Sequence, residues 1–218
     1  MKDDYVLYGY FRSSAAFRVR IALNLKGVKA QQRFIHLVKD GGQQHAAEYK
    51  SLNPLGLIPA LLHNAHLLTQ SLAIIEYLDE IMPLPPLLPA DPLLRARVRE
   101  IAYVVACDIH PVNNLRLGQY MKREFGASEK QEVRWRRHWM TVGFEALEQM
   151  LAASPDAGAF CIGVAPTIAD ICLIPQMANA RRVDLDLTPF PTLVRIEAHA
   201  LLHPAFDAAQ PKNQPDAE

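Results

Sequence analysis

Apolar and polar positions at the beginning of the chain follow first the period of a strand and then that of a helix. Tyr5–Tyr8 is a short run of strand-forming residues, and apolar side chains then recur every four positions over 17–25, as on one face of a helix. Ser13 and Ser14 precede this stretch and Lys26-Gly27 follows it, and these residue types commonly begin and end helices. The pattern predicts a strand that leads directly into an amphipathic helix.

Strand and helix patterns continue to alternate up to residue 83. The segment 32–37 has the composition of a strand, 57–62 and 66–69 have that of a hairpin, and Ser71 begins a helical pattern over 72–82. The resulting order, β-α-β-(α)-β-β-α, predicts a small mixed sheet with helices on its faces, which is the arrangement of a thioredoxin-like domain.

A cluster of prolines marks the clearest domain boundary. Five of the ten residues from Pro83 to Pro92 are proline, which lacks a backbone donor and has a fixed φ. An extended linker is therefore predicted over 84–92, between a first domain at 1–83 and a second domain at 93–218.

The second domain has helical periodicity only, which predicts a helix bundle. Thr167 and Asp170 have the spacing of a capping box, in which side chains satisfy unpaired N–H groups at the helix start, and a purely structural role is favoured for them. The polar tail Gln210–Glu218 is expected to fray. The predicted helices cover residues 93–114, 129–153 and 167–182.

Composition and charge narrow the class of protein. Lys plus Arg and Asp plus Glu number 23 each, so neither nucleic acid nor an anionic membrane is expected as a partner. The first residues are polar and no apolar run reaches the roughly 20 residues of a membrane span, which favours a soluble protein of the cytoplasm. Cys107, Cys161 and Cys172 are too few and too scattered for a disulfide framework or a zinc site, and no metal is predicted.

Arg12, Ser13 and Ser14 stand where the first helix follows the first strand. A helix N-terminus carries unpaired N–H groups and about half a positive charge, so it stabilises an anion, and a serine hydroxyl adds a donor. A thiol held as thiolate near neutral pH needs its pKa lowered by about two units, worth roughly 2.7 kcal/mol, which a dipole, a hydroxyl and an arginine together can supply. The alternative is that Ser13 only caps the helix.

Two further segments of the first domain are suited to bind a peptide that carries such a thiolate. Ile58-Pro59 at the entry of a strand fits the cis-proline turn of thioredoxin-like folds, which exposes the backbone of the preceding residue to an extended peptide. Gln70-Ser71 begins another helix and fits a carboxylate. Positions for a thiolate, a peptide backbone and a carboxylate together describe a site for glutathione.

Four segments resemble the zeta class of glutathione transferases. They are Tyr10–Leu23, Asn53-Pro54, Gln70–Leu78, and Asp170 together with Pro175–Arg182. The resemblance runs from about residue 5 to residue 206 and implies the glutathione transferase fold, glutathione as cofactor and a homodimer. This chain departs from the family in having Ala15 where cysteine is usual and Phe17 where tryptophan is common.

The resemblance also implies the roles of individual residues. Ser13 would stabilise the thiolate, with Ser14 and Arg12 as its catalytic neighbours. Ile58 would bind through its main chain, and Gln70 and Ser71 would hold the γ-glutamyl end. The implied glutathione site comprises Ser13, Ser14, Ala15, Ala16, Phe17, Arg18, Gln44, Ile58, Pro59, Gln70, Ser71, His110, Asn114, Leu115 and Arg116.

The implied reaction is the conversion of maleylacetoacetate or maleylpyruvate to its fumaryl isomer, in the breakdown of tyrosine or other aromatic compounds. The thiolate of glutathione adds to the double bond, the resulting single bond rotates, and the thiolate departs. Such dicarboxylate substrates need cations, for which Arg12, Arg116 and Arg182 are the candidates. Alternatively Arg116 is a solvated helix residue, and the arginines at 134, 136 and 137 are expected to form an exposed face.

His110 has two interpretations, since it can contact glutathione or shuttle a proton, or only shape a kink before Pro111. Two alternative functions also stay open. One is a transferase acting on α-halo acids or other small electrophiles, and the other is a non-catalytic scaffold with a glutathione transferase fold. The presence of Ser13, Gln70 and Ser71 favours an enzyme.

Overall fold

The structure, a computed structural model, describes residues 4–218 in two compact units. The first unit contains residues 4–87 together with Leu202–Glu218, and the second contains Leu88–Leu201. The division between Leu87 and Leu88 falls within the proline-rich segment predicted as the linker.

The first unit is built on a four-stranded sheet in the order β2-β1-β3-β4. β1 pairs in parallel with β2 and antiparallel with β3, and β3 forms an antiparallel hairpin with β4. The central strand β1 is the most buried, because its apolar side chains are covered on both faces. The strands are β1 Tyr5–Gly9, β2 Gln31–Phe34, β3 Ala60–His63 and β4 His66–Thr69.

Three helices connect these strands: α1 Ser14–Leu25, α2 Ala47–Leu52 and α3 Ser71–Ile81. The element order confirms the predicted thioredoxin-like domain. One property of α1 differs from the prediction, because the helix is not amphipathic: every residue from Ala16 to Leu23 is buried, including Arg18 and Arg20. The reason is that α1 packs against a helix on each of two sides, α3 and α10 Pro204–Ala209.

The C-terminal segment provides the second helix, α10, that packs against α1. Phe206 and Ala209 of α10 are buried, the Asn24 side chain donates to the Ala205 carbonyl at 2.9 Å, and Arg20 Nε donates to the Ala209 carbonyl at 3.0 Å. Leu202–Glu218 therefore packs with the first unit, so the predicted second domain at 93–218 is too long.

The last residues do not fray, contrary to the expectation for Gln210–Glu218. Residues 211–213 form a 3₁₀ turn, the Glu218 carboxylate pairs with the Lys39 ammonium, and Asp216 accepts a backbone hydrogen bond from Phe11 at 3.0 Å. Hydrogen bonding to Lys39 lowers the pKa of Glu218, and the charges of His36 and Arg12 act in the same direction.

The second unit consists of helices, as predicted. α8 is buried on nearly every side and forms its centre, because its residues from Ile168 to Met177 are almost all apolar. The predicted helix over 93–114 contains a π-helical stretch, Val104–Ile109, between two α-helical pieces. The helices are α4 Pro92–Tyr103, α5 His110–Val112, α6 Leu115–Phe125, α7 Glu129–Ala152, α8 Ile168–Arg182 and α9 Pro191–Ala200. Within residues 4–218, no helix has both the length and the apolar character required to cross a membrane.

The arginines on α7 correct one expectation. Arg134 is exposed, but Arg136 pairs with the buried carboxylate of Glu132, and Arg137 Nε donates to the Val183 carbonyl at 2.6 Å. Burial raises the pKa of Glu132, but Lys122 and Arg136 lower it by more, so that the net shift is downward. Arg136 and Arg137 therefore stabilise the helix bundle, and the three arginines do not form the expected exposed face together.

Asp170 forms the predicted capping box at the beginning of α8. Its carboxylate is fully buried and accepts hydrogen bonds from the Thr167 N–H and hydroxyl, both at 2.9 Å, and from the Cys161 N–H at 2.7 Å. Burial raises the pKa of Asp170 and these hydrogen bonds oppose the shift. The carboxylate thus connects Cys161 and Thr167, which precede α8, to the first turn of that helix.

Candidate functional site

The strand register brings three loops to one edge of the sheet in the first unit. Tyr8 pairs with Ala60, and Ala60 pairs with Thr69. The end of β1, the beginning of β3 and the end of β4 therefore lie side by side. The loops at these three positions contain Arg12-Ser13, Ile58-Pro59 and Gln70-Ser71. The sheet thus gathers the three segments that sequence analysis singled out.

Ser13 closes a tight turn between β1 and α1. Its N–H donates to the Tyr10 carbonyl at 3.0 Å, and its hydroxyl oxygen accepts from the Ala16 N–H at 3.2 Å, which makes Ser13 the N-cap of α1. A serine oxygen that accepts in this way keeps its own O–H bond for donation. The capping and thiolate-stabilising interpretations are therefore compatible, and the half-buried hydroxyl stands at the positive end of α1.

The neighbours of Ser13 differ in what they can offer a ligand. Arg12 is exposed, and its guanidinium lies 4.9 Å from the centre of the Phe11 ring. Ser14 is buried and Ala15 half-buried. Ala16 and Phe17 are at most 1% exposed, so these two predicted site residues belong to the core and only their backbone is available.

Ile58 precedes a cis peptide bond to Pro59, as expected, and lies beyond the last registered pair of β3. Two side chains fix the carbonyl just before it: the Leu57 oxygen accepts from the Tyr49 hydroxyl at 2.8 Å and from the Asn53 amide at 2.7 Å. Burial raises the pKa of Tyr49 to about 12, so this hydroxyl keeps its proton at physiological pH. Tyr49 is a supporting residue that sequence reasoning missed.

Gln70 and Ser71 form the beginning of α3. Ser71 is buried and its hydroxyl accepts from Arg18 Nη1 at 3.3 Å, which connects this helix start to α1. Gln70 has φ 67° and ψ 114°, a left-handed conformation that non-glycine residues rarely adopt. Residues in such sparsely populated conformations cluster at ligand-binding positions, where the surrounding structure holds them in place.

The strain at Gln70 gives a prediction. We expect Gln70→Gly to raise the free energy of unfolding by about 1 kcal/mol, because glycine adopts positive φ freely, and to weaken glutathione binding by about tenfold through loss of the amide. Calorimetry measures both quantities. Asn64→Gly is the matched control, since Asn64 also has positive φ (54°) but lies in the β3–β4 turn. Lower stability of Gln70→Gly would contradict the prediction.

Gln44 has a buried side-chain oxygen that could accept a hydrogen bond from a polar ligand. Its side chain is buried, its Nε2 donates to the Leu37 carbonyl at 3.3 Å, and its Oε1 has no hydrogen-bond partner among residues 4–218. A buried amide oxygen without a partner costs free energy, and a peptide N–H or ammonium group would satisfy it. With Ser13, Ile58 and Gln70-Ser71, this acceptor fits a γ-glutamyl peptide that carries a thiol.

The remaining predicted residues belong to the second unit. Asn114 is the N-cap of α6 and accepts from the Arg116 N–H at 3.1 Å, and its amide lies 3.5 Å from the His110 ring nitrogen. Leu115 is half-buried and Arg116 is exposed in the first turn of α6. Arg182 is exposed at the end of α8 and donates to the Asn179 side chain at 3.0 Å. Asn114 therefore has a structural role as a cap.

Comparisons with known proteins identify the family. Residues 4–80 match the glutathione S-transferase N-terminal domain. The chain is 49% identical to a probable maleylacetoacetate isomerase of Vibrio cholerae, over 97% of this chain and 98% of that protein. It is 45% identical, with a TM-score of 0.95, to a solved maleylpyruvate isomerase described as a bacterial zeta-class glutathione S-transferase, over 97% and 99% of the two chains. It is 40% identical, with a TM-score of 0.94, to a maleylacetoacetate isomerase of Methylobacterium extorquens AM1 solved with malonate and glutathione, over the same shares. The chain belongs to the zeta class of the glutathione transferase family.

Proposed function

We propose that this protein isomerises maleylacetoacetate or maleylpyruvate to the fumaryl isomer with glutathione as cofactor. The observation that carries the proposal is the Ser13 hydroxyl at the start of α1, on the sheet edge that also presents Ile58 and Gln70-Ser71. The names of the similar isomerases support the substrate class.

The first unit would bind and activate the cofactor. When bound, glutathione supplies a thiolate that adds reversibly to the conjugated double bond and so permits rotation. Ser13 donates its O–H to the sulfur, and the N-terminus of α1 adds a favourable potential. Ile58 pairs with the peptide backbone, and Gln70 and Ser71 hold the γ-glutamyl carboxylate. These contacts fix the sulfur relative to Ser13, which is the positioning that the reaction needs.

Cations would bind the two carboxylates of the substrate. Arg12 lies one residue before Ser13, and we assign Arg116 and Arg182 to the same task because guanidinium groups bind carboxylates through two parallel hydrogen bonds. The relative solved with malonate shows that a dicarboxylate binds to a member of this family. Guanidinium groups attract dianionic substrates more strongly than neutral electrophiles.

Turnover with a trace of glutathione tests this function. We expect the wild type to convert many equivalents of maleylpyruvate or maleylacetoacetate per glutathione, and Arg182→Ala to lower kcat/KM at least about tenfold, worth about 1.4 kcal/mol. Arg134→Ala, which removes an exposed arginine of α7, is the control and should leave the rate unchanged. Absorbance of the substrate follows the reaction.

Three results would contradict the proposal or one of its assigned roles. Absence of glutathione-dependent turnover would remove the isomerase function and favour a scaffold. Stoichiometric consumption of glutathione with α-halo acids, without isomerisation of the maleyl substrates, would make the protein a transferase. Loss of activity in Arg134→Ala equal to that in Arg182→Ala would remove the assigned role of Arg182.

The proposal includes a homodimer in the cytoplasm that acts in the breakdown of tyrosine or other aromatic compounds. The resemblance to the zeta class supports each of these. Sedimentation of the purified protein would test the dimer, and a single monomeric species at micromolar concentration would contradict it.

A further inference from the structure

The turn that presents Ser13 has little regular structure of its own. Tyr10 and Ser13 are its ends, joined by the single hydrogen bond from the Ser13 N–H to the Tyr10 carbonyl, and Phe11 and Arg12 lie between them. The position of the Ser13 hydroxyl depends on the orientation of these peptide groups. Contacts to the turn from outside therefore matter for the site.

Arg20 of α1 holds the turn by its carbonyl groups. Its guanidinium is buried and donates from Nη2 to the Phe11 carbonyl at 3.1 Å and from Nη1 to the Tyr10 carbonyl at 3.4 Å. A third donor, Nε, reaches the Ala209 carbonyl at the end of α10. One cation thus links two carbonyls of the turn to the C-terminal segment.

Asp216 holds the same turn through a different group. Its Oδ2 accepts from the Phe11 N–H at 3.0 Å, although the two residues are separated by 205 positions in the sequence. Burial lowers the pKa of Arg20 to about 10, and the nearby carboxylate of Asp216 opposes this shift, so that the guanidinium remains protonated at neutral pH. Asp216 is therefore both the acceptor for the turn and a countercharge for Arg20.

We propose that Arg20 and Asp216 are positioning residues for the reaction, which clamp the Tyr10–Ser13 turn through its carbonyls and through the Phe11 N–H and thereby aim the Ser13 hydroxyl at the thiol of bound glutathione. The proposal rests on the function proposed above. It assigns a catalytic contribution to the C-terminal segment.

Burying an arginine costs free energy, because its charge loses its hydration. Three of its donors are satisfied by backbone carbonyls, two of them in the turn, so its hydrogen-bonding geometry is specific for this segment. A donor that stabilises developing charge must be held to within a fraction of an ångström, since a displacement of about 1 Å can cost about 100-fold in rate. The clamp restrains the peptide groups of Tyr10 and Phe11, which precede Ser13 in the turn.

Variants of Asp216 in the full chain test the clamp. Asp216→Ala removes the acceptor for Phe11, and we expect kcat to fall about tenfold with the KM for the maleyl substrate nearly unchanged, because the loss is in positioning. Asp216→Asn keeps an oxygen acceptor and should stay within about threefold of the wild type. Asp207→Asn is the control, since it removes one negative charge from the same segment at an exposed position whose carboxylate contacts Gln210.

A second readout does not need the maleyl substrate. Ultraviolet absorbance of the thiolate, titrated with pH, reports how well the enzyme stabilises bound glutathione, and we expect the midpoint to rise by about one pH unit in Asp216→Ala, corresponding to the tenfold loss. Melting temperatures of all variants show whether they are folded. Slow hydrogen exchange of the Phe11 amide in the wild type, measured by NMR, is a third expectation that requires no substitution.

Several outcomes would overturn the inference. These are a folded Asp216→Ala protein with wild-type kcat and titration midpoint, an Asp216→Asn loss as large as that of Asp216→Ala, or exchange of the Phe11 amide at the unprotected rate. A wild type that stabilises the thiolate but does not isomerise the maleyl substrates would remove the proposed function alone. A wild type that does not bind glutathione would remove both.

Discussion

Replacing Ser13 with alanine is expected to lower kcat/KM for the maleyl substrate by about 100- to 1,000-fold, the usual effect of removing one preorganised donor from a developing anion. The Ser13 hydroxyl also accepts from the Ala16 N–H, so the variant loses a helix cap as well. Loss of the cap costs about 1 kcal/mol of stability. The thiol of bound glutathione should then titrate about two pH units higher, because its main donor is absent.

A matched control separates the two roles of Ser13. Ser128 caps α7 in the same way, with its hydroxyl accepting from the Gln131 N–H. Ser128→Ala should lose similar stability and keep full activity, since the cap lies in another part of the protein. Steady-state kinetics, thiolate titration and thermal unfolding of both variants measure the effects. A Ser13→Ala protein within about threefold of wild-type kcat/KM would show that the hydroxyl only caps α1.

Asp170→Ala is expected to have the largest effect on stability, a loss of about 3–5 kcal/mol, because it removes a fully buried carboxylate. Three donors lose their acceptor: the N–H of Cys161, and the N–H and hydroxyl of Thr167. These groups lie in the core of the second unit, where water cannot replace the carboxylate. Thermal and denaturant unfolding measure the loss.

Asp186 provides the control for Asp170. Its carboxylate accepts from the N–H and hydroxyl of Thr188 in the same pattern, but on the surface. Asp186→Ala should cost less than about 1 kcal/mol, because water takes over the hydrogen bonds. Equal losses in the two variants would show that burial does not set the energy of the capping box. Folded Asp170→Ala protein should bind glutathione as the wild type does, which distinguishes a stability effect from a catalytic one.

Local signals in the sequence predicted much of the fold. The alternation of strand and helix periods predicted the thioredoxin-like domain, and continuous helical periodicity predicted the bundle. Both are confirmed, since each signal lies within one element and its caps. The Thr167–Asp170 box was found for the same reason: its partners are three residues apart.

Contacts between distant segments were not predictable in this way. The apolar period at 17, 21 and 25 predicted an amphipathic α1, but α1 packs against both α3 and α10, and Arg18 and Arg20 are buried as well. No residue near Arg20 in the sequence indicates that α10 packs there. The polar composition of Gln210–Glu218 suggested that this segment frays. Its partners Phe11 and Lys39 lie far away in the sequence, so composition alone does not show that they hold it.

The candidate site shows the same division. Ser13, Ile58 and Gln70-Ser71 were predicted because each follows or precedes a recognisable strand or helix. The features that hold these residues in place were not predicted. The hydrogen bond of the Tyr49 hydroxyl and the left-handed backbone of Gln70 cannot be recognised from the residue types alone. The core positions of Ala16 and Phe17 depend on packing, which the family pattern does not describe.

The return of Leu202–Glu218 to the first unit has a consequence for biosynthesis. The ribosome makes the sheet and α1 first, then the whole second unit, and only then α10, Asp216 and Glu218. At about 5–20 residues per second, the interval is on the order of ten seconds. During that time α10 does not yet cover α1, and the turn before Ser13 lacks the hydrogen bond from the Phe11 N–H to Asp216. The first unit thus begins to be synthesised before the second unit but is completed after it.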